Sequence, residues 1–181
     1  GVGGWAAIII TPGRGQSLSK AQTPSGVKAH SKEHAASKQP RHNNQVIELG
    51  GRVEDTTNNR MELTAVGKAL RYLETTSGIV KIFSDSRYVI DGMSKWLNSW
   101  KANHWKKSDG KEILNLQYWK RLDELVEARE QEVYWQHVKG HSNHPANDRC
   151  DEIAVNYAKG RRITLYKGNL STYSVQIDET C

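Results

Sequence analysis

Short apolar runs alternate with longer segments of helical periodicity along this chain. The runs are rich in β-branched and aromatic residues and predict strands at 5–10, 45–49 with 52–54, 79–83 and 132–138. Gly50-Gly51 interrupts the second of them and predicts a bulge. Apolar positions at helical spacing predict helices from about 56 to 73, after a Ser86 cap to about 100, from 114 to 128, and from an Asn147 or Asp148 cap to 158. This alternation predicts an α/β fold.

One polar residue breaks the pattern of the first helix. On a helical wheel Glu62 falls within the apolar arc, between Ala69 and Leu73. A carboxylate on a packing face is costly unless its charge is compensated. Two explanations stay open at this point: a buried ion pair or a glutamate at the rim of the core, or a side chain that points into a cation site.

Composition narrows the class of protein. The 181 residues suit one domain with an appendage, and 36% hydrophobic with 25% charged residues is typical of a globular protein. No apolar run approaches the length of a membrane span. The two cysteines make no disulfide framework, so we expect a reducing compartment, the cytoplasm. The net charge of +6 favours a polyanionic partner.

Most of this positive charge lies in one polar stretch, at about residues 13–44. It carries six Lys and Arg residues against one Glu. Such a stretch cannot bury enough apolar surface to order itself. We therefore expect a mobile insertion between two strands, which is either inert or a sequence-independent tether for nucleic acid.

Three acids occupy positions at which a site could form. Glu62 lies on a helix face, Asp85 at the carboxyl end of a strand, where ligands bind in α/β sheets, and Asp151 near the start of a helix. Clustered carboxylates repel each other unless a cation neutralises them. Oxygen ligands suit Mg²⁺ or Mn²⁺. The pattern alone leaves open whether the three acids converge or are scattered structural residues.

A histidine in a loop offers proton-transfer chemistry. His141 follows Gly140, and an unperturbed imidazole titrates near pH 6.5. A zinc site formed by His137, His141, His144 and Cys150 is the less favoured alternative, because the spacing is loose and the cysteine lies in a helical pattern.

Aromatic and basic residues alternate after the second predicted helix begins. Aromatic faces can stack on sugar and base while ammonium groups meet phosphate. The candidates for nucleic-acid contact are Trp96, Trp100, Lys101, Trp105, Lys106 and Lys107. The spacing of Trp96 and Trp100 is equally typical of a packed core face. The stretch 101–107 contains no acid that could pair its basic residues.

Taken together, four segments resemble the type 1 ribonuclease H family: 56–63, 84–89, 96–107 and 138–152. Their order and spacing also fit that family. The resemblance implies a ribonuclease H-like fold, with a mixed five-stranded sheet flanked by helices. It covers a domain of residues 1–162, the insertion apart, and leaves a C-terminal tail at 163–181.

The resemblance also implies an activity. The family cleaves the RNA strand of RNA–DNA hybrids endonucleolytically, with Mg²⁺, and leaves 3′-hydroxyl and 5′-phosphate ends. Glu62, Asp85 and Asp151 match three of its four metal-binding carboxylates, and His141 matches its mobile general acid or product-release residue. We expect a monomer whose partner is the hybrid and which has no membrane contact.

The same resemblance assigns substrate-binding roles. Asn58 and Asn59 match residues that meet 2′-hydroxyl groups in the minor groove, which distinguishes RNA from DNA. The segment 96–107 matches the basic protrusion that holds the DNA strand. A binding module for hybrids without catalysis is the alternative, and the asparagine pair argues against an integrase-like nuclease that acts on DNA.

One departure from the family is large. The first strand of the family, which carries Asp-Gly-Ser and the first carboxylate, has no counterpart before Gly1. The favoured explanation is an N-terminally incomplete sequence. The other is circular permutation, in which segment 174–181 replaces that strand and Asp178 enters the metal site.

Overall fold

The structure is a computed structural model that describes residues 1–13, 44–140 and 144–177. Residues 14–43 of the predicted insertion lie outside this range, as do His141 and Asp178. The predictions for these residues therefore stay predictions.

Strands and helices alternate along the chain as the hydrophobic pattern indicates. The elements are β1 Gly3–Thr11, β2 Gln45–Val53, α1 Asn58–Tyr72, β3 Val80–Ser84, α2 Arg87–Asp91, a π-helical turn Gly92–Trp96, α3 Leu97–Ala102, α4 Leu116–Glu127, β4 Val133–His137, α5 Pro145–Ala158, β5 Lys167–Asn169 and a 3₁₀ turn Leu170–Thr172. No helix in the described ranges is long and apolar enough to cross a bilayer.

The strands form two sheets. One sheet has the order β1-β2-β5 and is antiparallel, and the other is the parallel pair β3-β4. The α/β class is confirmed, but a single five-stranded sheet is not what the described residues form. Among the described residues no strand pairs with both β1 and β3, which leaves the two sheets separate.

Register within the first sheet corrects one prediction. Pairing between β1 and β2 runs without interruption from Gly3 opposite Val53 to Thr11 opposite Gln45. The bulge predicted at Gly50-Gly51 is therefore wrong, because each of these glycines faces a single residue of β1. The strand β5 adds part of the predicted C-terminal tail to the same sheet.

The buried apolar residues fall into two groups. The larger cluster joins α1, the α2–α3 region, α4 and β4 around Trp119, which is fully buried. Ile9, Val46 and Ile153 are buried in the other half, where α5 packs on β1 and β2. By contrast, no residue of β3 is fully buried, and within the described residues β3 pairs with β4 alone.

Two helix boundaries also differ from the prediction. The region after Ser86 is divided, because the π-helical turn separates α2 from α3. Helix α5 starts at Pro145 with His144 as its N-cap, so the predicted cap at Asn147 or Asp148 is wrong. Proline suits the first helical turn because its missing N–H has no intrahelical acceptor there.

Close packing positions α5 on β1. A Cβ atom placed on Gly4 would lie 1.9 Å from the carbonyl oxygen of Ala154. Only glycine permits this approach of a strand backbone to a helix backbone. The contact fixes the helix that carries Asp151 relative to the sheet.

Candidate active site

Helix α1 presents Glu62 from its second turn. The Thr57 side chain caps the helix by accepting a hydrogen bond from the Arg60 N–H, which sets where the helix begins. Met61 and Leu63, the neighbours of Glu62, are both buried, while Glu62 itself is half-buried. The carboxylate therefore lies at the edge of the core rather than in solvent.

Ser86 connects Glu62 to the end of β3. Its hydroxyl donates a hydrogen bond to Glu62 Oε2. Ser86 Oγ in turn accepts a hydrogen bond from the Val89 N–H at 3.2 Å, which confirms the predicted Ser86 cap of α2. Ser86 is buried, so this double role ties the carboxylate of α1 to the start of α2.

Asp85 precedes Ser86, just after β3 ends. The Asn147 side chain of α5 donates to Asp85 Oδ2 at 3.2 Å. On the other side, a Cβ atom added to Gly140 would lie 3.0 Å from the same oxygen. The backbone after β4 thus passes directly against Asp85, and a side chain there would crowd the carboxylate.

The charges of the two acids influence each other. Burial raises the pKa of the Glu62 carboxyl, the Ser86 hydroxyl partly offsets this, and the charge of Asp85 raises the pKa further. A raised pKa means that the surroundings disfavour the ionised form. The negative charge of Glu62 is therefore compensated only in part by the protein groups around it.

Asp151 lies on the same helix as Asn147, and among the described residues it does not form a three-acid cluster with Glu62 and Asp85. It is exposed, two turns into α5. The thiol of the preceding residue, Cys150, has a pKa of about 12. Burial raises this pKa most, and the charges of Asp151, Glu48 and Asp85 raise it further. Across the described parts of the chain, no group of three or more His, Cys, Asp or Glu side chains is close enough to hold a metal ion.

The predicted substrate-binding residues lie at the start of α1 and along α2 to α4. Asn58 and Asn59 are the first two residues of α1. Trp96 is 37% exposed, and its ring contacts those of Tyr88 and Trp100. Trp100 also packs on Trp119, so it belongs partly to the core.

Part of the predicted basic protrusion is engaged internally. Lys101 makes ion pairs of 2.8 Å with both Asp123 and Glu127 of α4. The inference that no acid pairs the stretch is therefore wrong for this lysine, because the partners are remote in sequence. Lys106 and Lys107 are exposed, and the Trp105 ring lies under Lys120, whose ammonium is 5.5 Å from the ring centroid.

Three further residues shape the site that sequence reasoning did not assign to it. The sequence indicates Ser86 and Asn147 only as helix caps, and Gly140 only as the residue that precedes His141. Ser86 and Gly140 could have been found by position, since they directly follow or precede Asp85 and His141, whereas Asn147 is next to no candidate residue. The contacts themselves connect residues up to 62 positions apart and could not be found from spacing.

An α/β fold with an acidic pair at a strand end, beside a helix that begins with two asparagines, is the arrangement expected of the ribonuclease H-like class. Comparison with known proteins agrees with this: the pattern of the RNase H family matches residues 3–159. The chain therefore belongs to the ribonuclease H family, which confirms the family predicted from the sequence, and the family is one of enzymes.

Individual relatives support this assignment. The chain is 47% identical over 124 residues to a ribonuclease H of Prochlorococcus marinus (strain NATL1A), a match that covers 66% of this chain and 73% of the relative. It is 45% identical over 113 residues to a ribonuclease H of Pseudoalteromonas atlantica, covering 62% of this chain and 72% of that one.

Solved structures show the same fold. The crystal structure of LC9-RNase H1, a type 1 RNase H, has a TM-score of 0.59 at 24% identity and covers 92% of this chain and 77% of that chain. The solution structure of the PFV RNase H domain has a TM-score of 0.56 at 22% identity and covers 66% and 82%. At these identities the likeness concerns the fold.

Proposed function

We propose that this chain hydrolyses the RNA strand of RNA–DNA hybrids at the Glu62–Asp85 site, with Mg²⁺ or Mn²⁺, and releases 3′-hydroxyl and 5′-phosphate ends. The observation that carries the proposal is the pair itself. A half-buried carboxylate with a raised pKa lies beside a second carboxylate at a strand end, in a chain of the ribonuclease H family.

The donor set fits a magnesium ion. Mg²⁺ is commonly held by one or two carboxylates, with water and substrate phosphate completing its shell. Glu62 and Asp85 would provide these carboxylates, and Asp151, on the helix that carries Asn147, would provide a further one. Such ions activate a water molecule and stabilise the leaving oxygen of a phosphodiester.

The residues of the chain hold the reacting groups in place. Ser86 orients Glu62, and Asn147 orients Asp85. His141, in the loop after Gly140, would pass a proton to the departing 3′ oxygen. With these roles, the scissile phosphate would bind between the end of β3 and the start of α5.

The substrate would run from the start of α1 towards α3. Asn58 and Asn59 would hydrogen bond 2′-hydroxyl groups of the RNA strand. Trp96, Trp100, Trp105, Lys106 and Lys107 would contact the DNA strand, with Lys101 holding α3 on α4 instead of meeting phosphate directly. We further propose that the protein acts in the cytoplasm as a monomer, and size-exclusion chromatography tests the second statement.

Cleavage of a labelled hybrid tests the proposal. We would assay this chain, and the chain extended before Gly1 by an Asp-Gly-Ser strand, on a hybrid and on duplex DNA, with Mg²⁺ or EDTA. We expect the extended chain to cut only the RNA strand of the hybrid, and only with Mg²⁺. Absence of cleavage by the extended chain, with Glu62, Asp85 and Asp151 intact, would contradict the proposal.

Binding of hybrids without cleavage is the second candidate. The exposed lysines favour it, together with the lack of a three-acid cluster among the described residues. It predicts salt-sensitive binding that is unchanged in Asp85→Asn, and no metal-dependent product. Cleavage that Asp85→Asn abolishes excludes this candidate.

A further inference from the structure

A second carboxylate, Glu48, is buried on β2, where it contacts α5. Its side chain is fully buried on β2 and accepts hydrogen bonds from both Nε and Nη2 of Arg149, at 2.8 and 2.9 Å. The Tyr166 backbone N–H donates to it at 2.8 Å and the Tyr173 hydroxyl at 2.6 Å. Four donors from α5 and the C-terminal segment therefore meet one carboxylate of the sheet.

Arg149 links this cluster to the candidate active site. It lies on α5 two residues after Asn147, which holds Asp85, and two residues before Asp151. Its guanidinium also donates to the Thr164 carbonyl at 3.0 Å and to Glu152 at 2.8 Å. Because the Arg149 guanidinium donates to acceptors on several elements, its orientation is fixed. This limits rotation of the first two turns of α5 about the helix axis.

The C-terminal segment supplies the remaining donors. Strand β5 attaches it to β2, and Leu170 N–H donates to the Asn44 carbonyl at 2.7 Å. The 3₁₀ turn then brings the Tyr173 ring to 4.8 Å from that of Tyr166. Tyr173 reaches Glu48 across 125 residues of sequence, so the segment closes over the base of α5.

We propose that residues 164–173 are part of the active-site scaffold, and that Glu48 and Tyr173 are positioning residues which set the orientation of Asn147 and Asp151 through Arg149. This inference rests on the proposed function for its catalytic consequence. Neither residue contacts the Glu62–Asp85 pair in the contacts described above. Their effect passes through the rotation and rigidity of α5, which aims Asn147 at Asp85.

The two tyrosines of this segment provide a matched pair of variants. Tyr173→Phe removes the hydroxyl that donates to Glu48. Tyr166→Phe makes the same chemical change in the same ring pair, but among the described residues the Tyr166 hydroxyl bonds to Asn169 and Thr172 of the segment and not to Glu48. Loss of packing or of tail structure affects both variants, while loss of the connection to Glu48 affects only the first.

Hydrogen exchange and kinetics are to be measured on the full chain, and kinetics also on the extended chain. For Tyr173→Phe we expect faster amide exchange at residues 146–152. Because one hydrogen bond to a charged group is lost, we also expect kcat to fall about 3- to 10-fold. The Mg²⁺ concentration that the enzyme requires should rise, while the KM for the hybrid stays unchanged. Tyr166→Phe should leave all three at the parent values. Glu48→Gln should shift the same quantities further than Tyr173→Phe.

Equal exchange and equal kinetics in the two tyrosine variants would overturn the positioning role. The exchange measurement does not require activity. Faster exchange in Tyr173→Phe alone, in a chain that cuts no hybrid in any form, would retain the mechanical link to α5 and refute the proposed function instead.

Discussion

Two glutamates of this fold, the buried Glu48 and the half-buried Glu62, have different surroundings. Around Glu48, hydrogen bonds from Arg149, Tyr173 and Tyr166 outweigh the effect of burial, which alone would raise the pKa, and lower it to about 2. Around Glu62, burial and the charge of Asp85 raise the pKa, with one hydroxyl as partial compensation. The ionised form of Glu62 is therefore disfavoured in the folded protein, whereas that of Glu48 is favoured.

The opposite pKa shifts of Glu48 and Glu62 indicate a structural role for the first and a ligand-binding role for the second. A carboxylate that is fully hydrogen bonded and paired stabilises one arrangement of the elements around it. A carboxylate whose charge is disfavoured gains most from an external cation. In the roles we propose, Glu48 holds α5, while Glu62 and Asp85 bind a cation. The predictions below test this contrast.

Asp85→Asn should have the largest effect. We expect the cleavage rate of the extended chain on a hybrid to fall about 1000-fold or more, because a bound metal supplies several kcal/mol of transition-state stabilisation. Thermal unfolding should change little. Glu124→Gln, which alters an exposed glutamate paired with Arg121, is the control and should keep full activity. Comparable rates for both variants would remove Asp85 from the site.

Arg149→Ala should be the most destabilising change. It leaves Glu48 buried without its main partner, and breaking such a pair costs roughly 3–5 kcal/mol. Arg149→Lys should recover only part, since lysine cannot make the bidentate contact. Urea unfolding at pH 7 measures both, and a loss below about 1 kcal/mol in Arg149→Ala would contradict the scaffold role.

The pH dependence of stability should report Glu48. Its folded pKa, about 2, lies below its ordinary value of 4.5, so the folded state holds fewer protons. The stability that it contributes, roughly 3 kcal/mol, is complete above pH 4.5 and is lost as pH falls towards 2. Unfolding measured between pH 7 and 2 should show this loss in the parent chain and a shallower slope in Glu48→Gln.

Glu62→Gln should have the smallest and opposite effect on stability. The folded pKa of Glu62 is raised, so its ionised form weakens the fold, and this penalty is relieved as pH falls. We expect the neutral variant to be slightly more stable than the parent chain at pH 7 without metal, while losing cleavage. Glu74→Gln, on the exposed end of the same region, should not be stabilised. A destabilised Glu62→Gln would place Glu62 with Glu48 as scaffold.

Several features of the fold followed from the hydrophobic pattern because local forces decide them. The strand from 5 to 10, the helix that carries Glu62, and the Ser86 cap were all placed within a few residues of their observed positions. The helix break at Gly92–Trp96 was not, since it depends on packing against Trp119, which lies on another element.

The site was only partly predictable for the same reason. Glu62 stood out because a carboxylate interrupts an apolar helix face. Glu48 likewise is a carboxylate within an apolar run, that of a predicted strand, but the pattern around it indicates no role for it. Its partners are remote: Arg149 and Tyr173 are separated from it by 101 and 125 residues. The division of the sheet likewise depends on pairing between distant strands.

Calorimetric titration with Mg²⁺ tests the central claim most directly. The account predicts saturable binding by the parent chain, loss of that binding in Asp85→Asn and Glu62→Gln, and unchanged binding in Glu124→Gln. Binding that is equal in all four proteins, or absent from the parent and from the extended chain alike, would contradict the assignment of the Glu62–Asp85 pair as the cation site.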